Sequence, residues 1–221
     1  MKDAIVGLGI QRISDIAVSC GVLNLLPKDF GGVNPVAFWE HSLGCALVCR
    51  HFARLISYPD PGKAYLAGLL HDIGIVVNLW LLPAEFRDAF ELARLEAIPL
   101  DEAERRILGF THCESGHLLA ERWGLASDFS QSISLHHTSY EAAEHAGLIA
   151  LVELSDLLCR MSGLNHGYTE KREVNLLEQT GFAVLSKERP ELRNLDWARL
   201  TFELESYMHE VHMLVHAIYR K

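Results

Sequence analysis

Apolar residues recur at three- and four-residue spacing through nearly the whole chain, and strand-like alternation is scarce. That period constrains the fold more than any other feature, because a stripe repeating every 3.6 residues can bury itself only as a helix. Gly and Pro fall at the gaps between stripes. The pattern predicts helices over 10–26, from Pro35 to about Ser57 with Asn34 as N-cap, from Lys63 to about Trp80, and from Pro83 to Ala97. It continues with one opened by Asp101 and Glu104, then His112 to Trp123, Ser127 to His137, Glu141 to Met161, and Asp196 to Arg220. "YPDPG" at 58–62 reads as a turn. The expectation is an all-α fold. Residues 1–165 would form one helical domain and 166–221 a C-terminal helical extension packed on it.

Composition narrows the functional classes. Charged residues are 22% of the 221 and the formal net charge is −9, with no long Lys/Arg cluster. Phosphate-backbone binding needs concentrated cations, so no nucleic-acid partner is expected. No signal peptide is recognisable, and no apolar run is expected to reach the ~18 residues of a membrane span. A cytoplasmic protein with no membrane partner is the expectation. The five cysteines, Cys20, Cys45, Cys49, Cys113 and Cys159, form no CxxC pair and read as small core residues.

One apolar run, "AYLAGLLHDIGIVVN" at 64–78, encloses His71 and Asp72, and burying that pair is costly without compensation. Alone it reads as a core histidine held by a carboxylate. Other residues change that reading. His41 lies on the preceding helix, His112 opens a later one, and His136 and His137 are adjacent at a helix end. Asp156 is enclosed by apolar neighbours in "LVELSDLLCR". Imidazoles and carboxylates in this number suit two divalent metal ions, with iron or manganese favoured and zinc or nickel compatible. Asp72 would bridge the ions and act as the catalytic carboxylate. His41, His71 and Asp156 would complete one ion, and His112, His136 and His137 the other. Two ions so held can clamp a phosphoryl group and lower the pKa of a water.

The order His41, His71–Asp72, Asp156 resembles the H…HD…D signature of the HD superfamily of metal-dependent phosphohydrolases. "FWEHSLGCALVCRHFAR", "AYLAGLLHDIG", "EAERRILGFTHCESGHLLAERWGL" and "ISLHH" resemble more specifically the HDOD branch, output domains of bacterial signalling proteins. The likeness runs from residue 4 to about 160, with the family's first helices missing ahead of "DAIVGLGIQRI". It implies an orthogonal helical bundle with a buried metal site. His112 and the His136–His137 doublet are similar to the HD-GYP cyclic di-GMP hydrolases, but Ile75 stands where those enzymes carry lysine, and no GYP segment follows. The resemblance implies a phosphohydrolase acting on a nucleotide or phosphodiester. Its alternative is a regulatory scaffold that binds a signalling protein or a phosphorylated small molecule, and a homodimer is allowed. A third reading is a nucleotidase using one metal.

Other residues read as structural. His117 falls about 140° round its helix from His112, and His51 about 80° off the His41 face. His209, His212 and His216 form a polar flank on the last helix. Trp39, Trp80, Trp123 and Trp197 read as core. Arg50, Arg54 and Arg122 are candidates for a substrate phosphate.

Overall fold

A computed structural model of the chain describes residues 33–171 and 174–219. The helix expected over 10–26 and the segment resembling the start of the family domain lie outside the described residues. Within them the fold is all-α, with no strand.

Helix α1, Pro35–Leu55, starts as expected, with Asn34 Oδ1 accepting from the Val36 amide at 3.0 Å. It ends at Ile56, and Ser57 reverses the chain at φ 52°. Helix α2, Pro61–Leu70, is capped by Asp60, whose carboxylate takes the Lys63 amide at 2.8 Å. The two pack closely because Gly68 has no Cβ; one there would sit 2.8 Å from the Cys45 carbonyl oxygen.

The single helix expected from Lys63 to Trp80 is divided. Helix α2 stops at Leu70 and α3 runs Ile73–Leu81, with Asp72 between them at φ −97°, ψ 14°. The Ile75 amide bonds the Asp72 carbonyl at 2.9 Å, a tight turn that keeps the backbone paired while redirecting both side chains. By length and composition Pro61–Leu81 does reach the apolar character of a membrane span, which corrects the sequence expectation; 72% of its most apolar 18-residue stretch is buried inside the fold.

Helix α4, Pro83–Glu96, ends at Ala97 in the left-handed region (φ 55°) and precedes α5, Leu100–Ile107. Asp101 is not the N-cap of α5, because Pro99 ends the loop and the helix begins at Leu100; Glu104 turns inward instead. The capping box lies one helix on, where the Thr111 amide donates to Glu114 Oε2 at 2.7 Å and opens α6, His112–Arg122. Helices α3 and α6 meet backbone to backbone. A Cβ on Gly74 would lie 1.8 Å from the His112 carbonyl oxygen, and one on Gly116 would lie 3.1 Å from the Gly74 nitrogen. This contact sets His112 beside Asp72.

Helix α7, Ser127–Leu135, starts after Ala126, so Ser127 is its first residue rather than its cap. It stops short of the histidine doublet. Helix α8, Ala146–Met161, begins later than expected because Ser139–Glu141 form a 3-10 turn and His145 is left-handed at φ 57°. Helix α8 is buried along most of its length and packs against α1, α2 and α7. Helix α9, Thr180–Glu188, lies on α8, and α10, Trp197–Tyr219, lies on α1. The α1–α10 contact includes His51, paired with Glu203 at 2.7 Å and Tyr207 at 3.0 Å, and Glu40, paired with His212 at 2.6 Å.

Two tryptophans depart from expectation. Trp39 is buried and Trp197 half-buried, but Trp80 and Trp123 are 60% and 50% exposed. Both sit at helix ends, where a residue in phase with the apolar stripe has no neighbouring helix left to cover it.

Candidate metal centre

All seven residues singled out from the sequence converge between α1, the α2–α3 break, α6, the end of α7 and α8. Six are nearly inaccessible: His41, His71 and His136 at 0%, and Asp72, His112 and Asp156 at 2%. His137 is the partly open member, its side chain 22% exposed.

Asp72 stands at the middle. Its Oδ2 lies 3.4 Å from His41 Nε2 and 3.1 Å from His71 Nε2. Its Oδ1 faces the other way, 3.4 Å from His112 Nε2 and 3.5 Å from His136 Nε2. Asp156 Oδ1 joins the first side at 3.2 Å from His41 Nε2, and His137 Nε2 the second at 3.3 Å from His112 Nε2.

The far ring nitrogens define what the near ones can do. His41 Nδ1 donates to the Leu164 carbonyl at 2.8 Å, His71 Nδ1 to Gly68 at 2.8 Å, and His136 Nδ1 to Ile133 at 2.9 Å. His112 Nδ1 donates to Glu104 Oε2 at 2.6 Å. Each of the four imidazoles therefore spends its proton outward when neutral, and its Nε2 lone pair points inward. Nε2 atoms stand 3.3 Å apart in the pairs His41–His71 and His112–His136. Two lone pairs at that distance repel unless a cation lies between them. Donor atoms about 2.0–2.2 Å from one ion stand roughly 3.0–3.5 Å apart in either tetrahedral or octahedral coordination, so the spacing fits a metal without fixing its coordination number. Four groups of donor atoms, each within 4.8 Å of one another, overlap here: His41, Cys45, His71, Asp156; His41, Asp72, His166; His71, Asp72, His136; and His112, Cys113, His136, His137.

Protonation shows the same demand for positive charge. Burial opposes a charged His41, yet Asp156 and Asp72 raise its pKa to about 10. Burial likewise opposes His136, which Cys113 and Asp72 bring up to about 10. His112 is raised against burial by Glu104. Burial would lift Asp72 and Asp156, but His71 beside Asp72, and Arg160 beside Asp156, hold them well below the usual carboxylate range. Burial lowers His71, and more strongly His137.

Sequence reasoning missed several members. Arg160 Nη2 binds Asp156 Oδ2 at 2.8 Å and Nη1 binds Glu170 at 2.8 Å, whereas Arg50 lies over the Tyr65 ring, Arg54 is exposed and Arg122 lines a groove between α3 and α6. Its place four residues after Asp156, on the same helix face, was a signal in the sequence. Glu104, read as a cap, is fully buried; besides His112 Nδ1 it takes the His112 amide at 2.8 Å and Asn78 Nδ2 at 3.0 Å. His166, from the segment after α8, places Nε2 2.9 Å from Asp72 Oδ2. Two cysteines expected only to pack also touch the cluster, Cys45 Sγ 3.6 Å from His41 Nε2 and Cys113 Sγ 3.9 Å from His136 Nε2. His117 stays apart, against Ser130 and Glu121, as its helical phase required. A cleft of about 390 Å³ reaches the centre at His137 and Arg160, and its other lining residues include Asp101, Glu153, Glu178 and Thr180.

None of the curated proteins matches this chain. Among solved structures, an HDOD domain protein of unknown function from Geobacter sulfurreducens is similar at 27% identity and TM-score 0.82, over 99% of this chain and 74% of that one. A protein described as a proposed phosphohydrolase from Shewanella amazonensis SB2B is similar at 21% identity and TM-score 0.70, over 97% and 75%. A proposed signal transduction protein from Marinobacter aquaeolei VT8 is similar at 22% identity and TM-score 0.73, over 96% of this chain and 45% of that one. These last two likenesses carry the all-α fold alone. The family model for the HDOD domain matches residues 1–139, and the chain belongs to the HDOD family.

Proposed function

We propose that this chain is a bacterial signalling protein whose buried cluster holds two divalent metal ions, and that it hydrolyses a phosphoester bond in a nucleotide or phosphodiester. The observation that carries the reading is the orientation of four imidazoles, each with Nδ1 anchored outward and Nε2 turned to one of the two oxygens of Asp72. His41, His71 and Asp156 would hold one ion and His112, His136 and His137 the other, with Asp72 shared. Ions bound there would neutralise phosphoryl charge and make water a nucleophile near neutral pH. Imidazole with carboxylate suits iron or manganese best. The chain's own residues supply the rest. Burial excludes bulk water, Glu104 fixes the His112 ring, Arg160 holds Asp156, and His137 is the member a substrate in the cleft would meet.

A regulatory scaffold, with partner binding in place of turnover, has its own support. Ile75 is a buried apolar side chain that carries no cation for a substrate phosphate, and three carboxylates line a cleft whose one guanidinium is already paired. Metal analysis of the untagged protein purified without chelator, followed by a panel of nucleotides, cyclic dinucleotides and phosphodiesters, separates the readings. About two equivalents of metal with turnover lost in His71→Ala support the hydrolase. Two equivalents with no turnover favour the scaffold, and no metal after reconstitution refutes the centre.

A further inference from the structure

Among the described residues, His166 is the one imidazole at the cluster that the HD-type motifs do not supply, and it is 9% exposed. Its Nε2 lies 2.9 Å from Asp72 Oδ2, the oxygen that faces His41 and His71 and not the one that faces His112 and His136. Its ring packs against His41 with centroids 4.3 Å apart and planes inclined at 50°. The loop that carries it is built, not draped. The Leu164 amide bonds the Cys159 carbonyl at 2.9 Å, the Gly167 amide bonds Asn165 Oδ1 at 2.9 Å, and Tyr168 donates to the Ile98 carbonyl at 3.0 Å. Gly167 takes φ 99°, a conformation a side chain would resist. The same loop orients His41, whose Nδ1 donates to Leu164.

We propose that His166 is a further donor to the ion on the His41 side of Asp72, delivered by the 162–168 loop. The inference rests on the dinuclear reading and adds an asymmetry to it. Five protein donors, His41, His71, Asp72, Asp156 and His166, exceed what a four-coordinate ion takes, so this position selects a metal of higher coordination number over tetrahedral zinc. The side held by His112, His136 and His137 keeps fewer donors and borders the cleft through His137. Exchangeable positions for water or substrate therefore belong to that side.

The test uses the full chain loaded with manganese(II), in the wild type and in His166→Ala and His166→Gln. The glutamine keeps a hydrogen bond to Asp72 but is a poor metal donor, so a merely structural role would leave it like the wild type. Binding is read by competition with a chelator, exchangeable water by solvent proton relaxation, and folding by circular dichroism. The expected result is two ions in the wild type, one of them weakened about tenfold or more in both variants, with faster relaxation as water takes the vacated position. If His166→Ala fails to fold, His166→Gln alone carries the reading. Two ions bound with wild-type affinity and relaxation in His166→Gln overturn the inference and spare the dinuclear centre. No metal in the wild type overturns both.

Discussion

Replacing Glu104 by Gln tests whether the centre is held from behind. In the wild type one carboxylate oxygen accepts both the His112 amide (2.8 Å) and His112 Nδ1 (2.6 Å), while the other accepts Asn78 Nδ2 (3.0 Å). Ser115 donates to Asn78 Oδ1 at 2.6 Å and completes a buried chain. The amide of Glu104→Gln can keep its oxygen on His112, which sets its NH2 against the NH2 of Asn78. Asn78 can relieve that by rotating, because the Ser115 hydroxyl can then accept from it and donate to the Thr111 carbonyl, 3.3 Å away. The shape therefore survives, and what is lost is charge assistance on His112. That difference is about 1–2 kcal/mol per bond, matching the 10–100-fold loss of metal affinity typical when a carboxylate behind a ligating histidine is removed. Glu104→Ala would instead strand the His112 amide, His112 Nδ1 and Asn78, at about 3–5 kcal/mol of stability. The assay is chelator competition for metal affinity, with urea unfolding on the same samples. Glu104→Gln should bind one ion about 10–100-fold more weakly with little change in unfolding midpoint. Wild-type affinity for both ions in Glu104→Gln would refute the idea that Glu104 sets the donor strength of His112.

Further outcomes follow from the same geometry. Asp72→Ala should remove both ions together, since its two oxygens face both sides; retention of either, by metal analysis, contradicts the bridge. Without metal, His41 and His136 hold protons up to about pH 10, against an unfolded value of 6.5. Their stabilisation is therefore full below about pH 6.5 and is lost as pH rises toward 10; Cys113, lowered to about 6, offsets part of it. Melting temperature of the metal-free protein should fall across that window, while metal affinity should rise because the ions must displace those protons. Gly74→Ala would drive its methyl into the His112 carbonyl, with no side chain able to yield, and should cost about 3 kcal/mol or more in urea unfolding. His117→Ala, away from the cluster, should shift stability by less than about 0.5 kcal/mol and leave metal content unchanged.

The sequence carried the centre further than it carried the helices. Titratable residues inside apolar stripes are conspicuous by type, so His41, His71, Asp72, His112, His136, His137 and Asp156 could be selected without knowing where any helix ended. The expected division into two sets has a geometric counterpart in the two oxygens of Asp72, one facing His41 and His71 and the other His112 and His136. The break at His71–Asp72 was hidden because "LLHDIGIV" keeps helical apolar spacing across it. Neither residue of the turn is Gly or Pro, and Gly74 just beyond it serves the contact with α6, so nothing in the sequence marks the turn that aims both side chains inward. Glu104 shows the opposite failure. Its spacing from Asp101 satisfied a local capping rule, but a tertiary partner, His112, binds it more strongly than a helix end would. Arg160 could have been found from its four-residue offset to Asp156, whereas His166 could not. It lies in "SGLNHGYTE", where no period assigns a face, and only the anchors at Leu164, Gly167 and Tyr168 bring it to Asp72. His117 makes the contrast sharp. It sits on the same helix as a site residue and stays outside by helical phase, while His166, on no helix, enters because a loop pinned at both ends has one place to put its ring. Donors on helices are therefore legible as phase, and donors on loops as anchoring, which a single sequence does not display.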